Sequence, residues 1–425
     1  MCNRITKAIA ALTLAMAGTA QAQPLAVENS ARPAARPGEG HVVMARANAP
    51  AVANVSFRRW IAGFRKRALA QGIRAGVFDR AFRGVRYNAA VVEKDRNQSE
   101  FTKQIWEYLD SANSPARIRN GRAALARNAR LLSRIEARYG VEKEIVAAIW
   151  GLESAYGTFR GSVPIIGALA SLAYDTRRPA FFEAQLIAAL RILQSGDTSA
   201  NNMTGSWAGA MGHTQFMPTS YLEHAQDFTG DGRRDIWGDD PADALASTAA
   251  YLANFGWTKG QPWGVEVTLP KGFDYSITSE RVKKPTRDWV RMGVRSVSGK
   301  PLPNYRRTSI LLPAGYTGAA FIIYDNFAVL EKYNTADAYV IAVGHLADRI
   351  AGGPSIKARW PRGDRALSFG EKQELQRRLQ ARGFDPKAID GIIGPNTIAA
   401  VQAYQKSVGL VPDGYASLSI LKHLR

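Results

Sequence analysis

The sequence runs to 425 residues, too long for one ordinary domain and suited to about two or three folded units. Hydrophobic residues make up 46% and charged residues 22%, which supplies a sizeable core and excludes a wholly disordered chain. The formal charge of +20 points to a polyanionic partner: nucleic acid, an anionic membrane face or an acidic polymer.

The chain opens on a pattern that reads as a signal peptide over residues 1–22. Arg4 and Lys7 supply the basic start, Ile9 to Ala17 the apolar stretch, and Ala20-Gln21-Ala22 the cleavage site. Export argues against nucleic acid as the partner. Cys2 is the one cysteine; it precedes the apolar stretch, so it cannot be a lipid-anchor cysteine, and the mature chain holds without disulfides. No later stretch reaches the roughly 18 apolar residues that span a bilayer. Residues 23–55, rich in Ala, Pro, Arg and Gly, read as a disordered leader.

From Phe57 to about Arg138 the pattern is helical. FRRWIAGFRKRALAQG places Phe57, Ile61, Phe64 and Leu69 on roughly one side, and ARNARLLSRIEARYG ends at a capping Gly140. The next helix, VEKEIVAAIWGLESAYG, is predicted to end at Gly157, and further helices at 179–195 and 241–255. Between 263 and 328 short β-rich runs (VEVTLP, SILLP, AAFIIYDN) predict a small sheet inserted into the helical body. A helix resumes through DAYVIAVGHLADRI, and residues 351–364 read as a linker. Residues 365–425 form a separate small unit. It opens with an amphipathic helix carrying Leu375 and Leu379. Two related segments follow, each an Asp-Gly turn and a helix, with Pro395 at a first helical position, Thr397 behind it and Ser417 in the second copy.

Glu153 shares a helical face with Trp150, Ile149, Val146 and Ile145, three, four, seven and eight residues before it. Burial disfavours the charged form of a carboxyl and raises its pKa, as does a helix C-terminus, and a raised pKa suits a general acid. The same pattern equally fits a carboxylate that braces the core. The Gly-rich segment GSWAGAMGHTQFMPTSY (205–221) lets backbone approach a ligand closely, while Ser206 and Gln215 offer hydrogen bonds; an ordinary connection would look similar. Asp227, Thr229, Asp231, Arg233 (by its carbonyl) and Asp235 fall at positions 1, 3, 5, 7 and 9 of an EF-hand-like loop, with Gly232 at position 6. Thr229 is neutral, and Gly238 stands where a bidentate Glu is usual, so Ca²⁺ and a metal-free Asp-Gly turn both stay open. Nothing calls for an organic cofactor.

ESAYG, the Gly-rich segment and DFTGDGRRDIW together resemble the lytic murein transglycosylase B family, from about Phe57 to Ile350. Separately, LQ-x-x-L, GF, DG-x-x-G-x-x-T and GL-x-x-DG in 368–425 resemble the small peptidoglycan-binding module. The resemblance implies a mainly α (α+β) fold: a lysozyme-like helical core with an inserted β subdomain (56–350) and a three-helix module (365–425). It implies cleavage of the bond between N-acetylmuramic acid and N-acetylglucosamine, with the muramoyl C6 hydroxyl closing a 1,6-anhydro ring. Glu153 matches the family's single acid/base, and no second acid stands in a comparable motif, as hydrolysis would require. Ser206, Gln215, Phe216 (stacking on a sugar), Tyr333, Asn334, Tyr339, Tyr108, Arg177 and Arg178 match cleft positions. Asp243 completes the Ca²⁺ set, where an ion would brace the domain. One departure is His213-Thr214, where the family often shows Tyr-Gly. The implied protein is a periplasmic monomer on peptidoglycan strands, with other wall enzymes as further partners. Its rivals are a lysozyme-type muramidase, a non-catalytic wall-binding protein, and a membrane-surface binder using FRRWIAGFRKRALAQG.

Overall fold

The computed structural model describes residues 44–96 and 104–425, with side chains from residue 55 onward; the expected signal segment and most of the expected leader lie outside the described residues. Helix α1 (Met44–Ala70) starts inside the stretch read as leader, where alanines give high helix propensity. Five helices follow: α2 (Ala75–Ala81), α3 (Ala89–Arg96), α4 (Ile105–Ala112), α5 (Pro115–Arg127) and α6 (Ala129–Tyr139). Helix α6 stops as predicted at Gly140, which takes the left-handed conformation at φ 67°.

Helix α7 (Lys143–Ser154) packs against α14 (Asp337–Ile350), α5, α6 and α11 (Ala242–Asn254). The sequence suggests one apolar face, but every residue from Ile145 to Ser154 is buried, because neighbours surround the helix. Ile145, Val146, Ile149 and Leu152 each contribute about 1.5–3 kcal/mol on burial. Together they offset the several kcal/mol that enclosing a carboxylate costs, so α7 can hold Glu153 inside.

Between α7 and α11 lie β1 (Val163–Pro164), α8 (Ile165–Tyr174), α9 (Pro179–Ser195), β2 (Thr204–Gly205) and α10 (Pro218–His224). Strands β1 and β2 form an antiparallel pair with Val163 opposite Gly205, fixing the start of the Gly-rich segment. The inserted subdomain holds β3 (Gly264–Thr268), α12 (Thr286–Arg291), β4 (Arg295–Ser296), β5 (Ser309–Leu311) and β6 (Ala320–Ile323). Its sheet is antiparallel in the order β4-β3-β6-β5. The two-residue period of a strand lets β6 serve two cores. Phe321 and Ile323 join the helical core, while Ala320, Ile322 and the adjoining Tyr324 pack with Trp289 and Ile310 in the subdomain's own core. Helix α13 (Asp325–Tyr333) then leads into α14.

The stretch read as a linker carries no helix or strand, yet it is held down. The Glu266 carboxylate accepts the backbone N–H groups of Lys357 and Ala358, and Arg362 makes a bidentate pair with Asp110 at 2.7 and 2.9 Å. Residues beyond it form α15 (Phe369–Ala381), α16 (Pro395–Ser407) and α17 (Leu418–Leu424) around Leu375, Leu379, Val401 and Leu421. The repeat seen in sequence has a physical basis. Buried Gln376 accepts the Gly391 N–H and donates to Asp390; buried Gln405 does the same with Gly414 and Asp413. Bonds among the described residues join this unit to the rest: Asp413 accepts Tyr316 N–H, Gln402 donates to Thr278 O, Arg281 to Asn396, and Gln104 to Tyr415.

Candidate active site

The chain leaves α7 abruptly. Ala155 and Tyr156 both take left-handed backbone (φ 48° and 60°), so the helix ends at Ser154 and not at the predicted Gly157. Such conformations cost a non-glycine residue about 1–2 kcal/mol. The offset lies in Tyr156, whose hydroxyl donates to Arg117 O at 2.9 Å. Its ring occupies a slot between α5 and α7 that exists because Gly121 and Gly151 lack side chains; a Cβ at either would meet the phenol at 2.5 Å. Glu153 is thereby the second-last residue of α7.

Glu153 is 6% exposed, and the Tyr339 hydroxyl of α14 donates to its Oε1 at 2.6 Å. Tyr333 lies parallel to Tyr339, with ring centroids 6.5 Å apart, and donates to Thr214 O at 2.5 Å. Burial pushes both phenols well above their ordinary pKa, and the charge of Glu153 adds to the effect, so both stay donors. Tyr108, half-buried, is close enough to bear on Tyr339. Asn334 is 1% exposed and accepts Ala336 N–H, shaping the entry to α14. Arg177 and Arg178 both hold buried Asp95, the former at 3.0 Å; no described contact brings either to Glu153.

The Gly-rich segment folds back on itself. Gly205 bridges to Met211 and Met211 to Phe216, and Ser206 Oγ accepts Ala210 N–H at 3.0 Å. Gln215, left-handed at φ 54°, donates to Gly212 O and Arg160 O at 2.8 and 3.0 Å. Phe216 corrects one expectation. It is 3% exposed with its ring against Tyr251 and Tyr333, so the face a sugar would stack on is already covered. His213, where the chain departs from the family pattern, is also buried, at 3% exposure. Sequence reasoning missed its link to α7: Trp150 Nε1 donates to His213 Nδ1 at 3.1 Å, and Ser154 Oγ to His213 O at 2.5 Å. The one hint was the serine beside Glu153.

In the acidic loop the carboxylates of Asp227, Asp231 and Asp243 converge, one oxygen of each lying within 4.8 Å of the others. Asp243 is 2% exposed, and burial raises its pKa against the pull of three backbone N–H groups. Asp235 is used differently from the expectation: its Oδ1 accepts the N–H groups of Trp237 and Gly238. Thr229 donates to Asp227 at 3.3 Å, and the Arg233 N–H donates to Asp231 at 2.9 Å.

A second acidic group was not foreseen. Glu280, from the β subdomain, meets Glu331 of α13 and Asp337 of α14. Burial and the neighbouring acids push Glu331 up to about 8 and Asp337 to about 7, while Lys283 opposes the shift at Glu331. With folded pKa values raised, the native state binds protons more tightly than the unfolded chain. The associated stability is full below the ordinary carboxylate range and is lost as pH rises through 7 to 8. Glu331→Gln is therefore expected to melt several degrees above the parent at about pH 8.5 and level with it at about pH 5. Equal shifts at both pH values, by calorimetry, would contradict this. Among the described residues, neither acidic group includes Glu153.

What Glu153 can do follows from this setting: a single enclosed carboxyl, in contact with a phenol, can give up a proton and take one back without moving. Comparisons with known proteins identify the relatives of the chain. The profile of the Transglycosylase SLT domain family matches residues 56–348, and that of a peptidoglycan binding domain matches 371–424. Membrane-bound lytic murein transglycosylase B of Escherichia coli K12 is 33% identical over 247 residues, which is 56% of this chain but 65% of that protein. The crystal structure of SltB3 from Pseudomonas aeruginosa, in complex with NAG-anhNAM-pentapeptide, is 53% identical with a TM-score of 0.84, covering 87% of this chain and 99% of that one. The Escherichia coli transglycosylase Slt35, in complex with calcium, is 28% identical with a TM-score of 0.60, covering 70% and 93%.

Proposed function

Because the chain belongs to the Transglycosylase SLT domain family, we propose that it is a peptidoglycan lytic transglycosylase, cutting between N-acetylmuramic acid and N-acetylglucosamine. Glu153 acts twice. As an acid it protonates the departing glycosidic oxygen. As a carboxylate it takes the proton of the muramoyl C6 hydroxyl, whose oxygen bonds to C1 and closes the 1,6-anhydro ring. The observation that carries this reading is the enclosed Glu153 with the Tyr339 hydroxyl on its Oε1, one carboxyl placed to serve both proton transfers in turn. Tyr339, Tyr333 and Tyr108 line the reacting end, with Ser206 and Gln215 on the Gly-rich side. The test is a digest of purified sacculi read by mass spectrometry. Anhydro-muropeptides are expected; products heavier by one water would instead establish a muramidase.

Residues 56–350 form the catalytic domain and 365–425 a wall-binding module, which raises the enzyme's concentration at the polymer. Residues 1–22 direct export to the periplasm; among the described residues no helix is long and apolar enough to cross a membrane. Asp227, Asp231 and Asp243 hold Ca²⁺, which suits hard oxygen donors and relieves the buried charge at Asp243. The ion would brace the segment joining α10 to α11. Calorimetry is expected to find one Ca²⁺ per chain, lost in Asp243→Asn, and EDTA to lower the melting temperature. No heat of binding and no EDTA effect would remove the ion from this account.

A further inference from the structure

Two consecutive carbonyls of the Gly-rich segment serve the two sides of the reacting pair. His213 O accepts the hydroxyl of Ser154, the residue after Glu153, at 2.5 Å; Thr214 O accepts the hydroxyl of Tyr333, which lies parallel to Tyr339, at 2.5 Å. The His213 ring then fixes this strip in place. Trp150 Nε1 carries a hydrogen and can only donate, so His213 Nδ1, 3.1 Å away, is its acceptor and carries none. The proton therefore sits on Nε2, which donates to Gly238 O at 2.8 Å; Arg160 donates to the same carbonyl at 2.7 Å. A charged imidazole would set a second N–H against that of Trp150 and a cation 3.2 Å from the Arg160 guanidinium. Below the ring, Gly157 leaves the space it needs, since a Cβ there would lie 2.6 Å from Nδ1.

We propose that His213 is a positioning residue: its neutral ring and its carbonyl hold the end of α7 at Trp150 and Ser154, keeping Glu153 on the Tyr339 hydroxyl while Glu153 changes protonation state. This rests on the assignment of Glu153 as the acid/base. The two α7 contacts lie three residues before Glu153 and one after it, so they bracket the carboxyl on its own helix. An error near 1 Å in a reacting group costs about 100-fold in rate. His213 has the leverage to prevent that error although it touches no substrate.

The experiment compares the full chain with His213→Phe, which keeps an aromatic ring, a larger one, and loses both ring bonds, and with His213→Asn, whose side chain reaches the place of Nδ1 and can still accept from Trp150. Initial rates of anhydro-muropeptide release from sacculi are measured across pH, beside melting temperatures. His213→Phe is expected to lose about 10- to 100-fold in kcat with KM within about twofold, and to shift the pH profile assigned to Glu153. His213→Asn is expected to recover most of kcat and the parental profile. A His213→Phe variant with parental kcat and pH profile would overturn the proposal, as would a loss that appears only in KM or only in melting temperature. If His213→Phe does not fold, Trp150→Phe, which removes the donor to His213 Nδ1, takes its place: a folded variant with parental kcat and pH profile overturns the proposal. A parent that releases no anhydro products refutes the functional assignment itself, a different result from an active parent indifferent to position 213.

Discussion

Glu153→Gln is expected to release anhydro-muropeptides at about a thousandth of the parental rate or less, because an amide can neither give nor take the proton at this pH. Folding should survive. The side chain keeps its shape, and Tyr339, now facing an amide oxygen, retains an acceptor in place of Oε1. Replacing a carboxyl only 6% exposed by a neutral amide of the same shape should leave the melting temperature level or higher. That combination, activity lost and stability kept, separates a proton-transferring carboxyl from one that braces the core. Measured on sacculi beside the parent, a rate above about a tenth of parental would move the acid/base elsewhere.

A large effect on the fold is expected from a single added methyl at Gly212. This residue has φ 71°, and a Cβ there would lie 2.2 Å from Ile236 O, a backbone atom with no rotamer to escape into. Backbone strain and overlap together should cost about 2–4 kcal/mol. Because Gly212 precedes the carbonyls that hold Ser154 and Tyr333, activity should fall even at temperatures where the variant is folded. Gly167→Ala in α8 is the control: nothing lies within 4 Å of its Cβ, and a helical alanine should stabilise by about 0.5–1 kcal/mol. Melting curves of the two variants should move in opposite directions. A Gly212→Ala protein as stable as the parent would mean that the loop relaxes freely.

Local chemistry made much of this legible in the sequence. The helical spacing that put Glu153 among Ile145, Val146, Ile149 and Trp150 is a property of a few turns, and all five are buried. Gly140 and Pro395 mark helix ends by their own backbone preferences, and the Asp-Gly turns of the last unit read directly as a repeat. Partners from distant chain positions were another matter. Nothing near Glu153 announces that Tyr339, 186 residues on, will donate to it; the family resemblance gave Tyr339 only as a cleft position. The acidic meeting of Glu280, Glu331 and Asp337 had no signal at all, since each acid looks like a solvated charge in its own segment. Phe216 misled for a related reason: an aromatic in a Gly-rich stretch suggests a ligand, and only the packing of Tyr251 and Tyr333 shows the ring already enclosed.

The slot that receives Tyr156 has an evolutionary consequence. Gly121 and Gly151 stand on different helices, yet each is constrained by the same phenol, which a Cβ at either would meet at 2.5 Å. A larger residue at Gly151 becomes tolerable only once the ring has gone, and at Gly121 the side chain of Ile350, whose Cδ1 a Cβ would also meet at 2.5 Å, must give way too. Gly121, Gly151, Tyr156 and Ile350 therefore form an epistatic unit, in which single steps are penalised. Drift at this point should be slow, and the place where the helix carrying Glu153 stops is inherited as a block, set as much by a residue of α5 as by the helix itself.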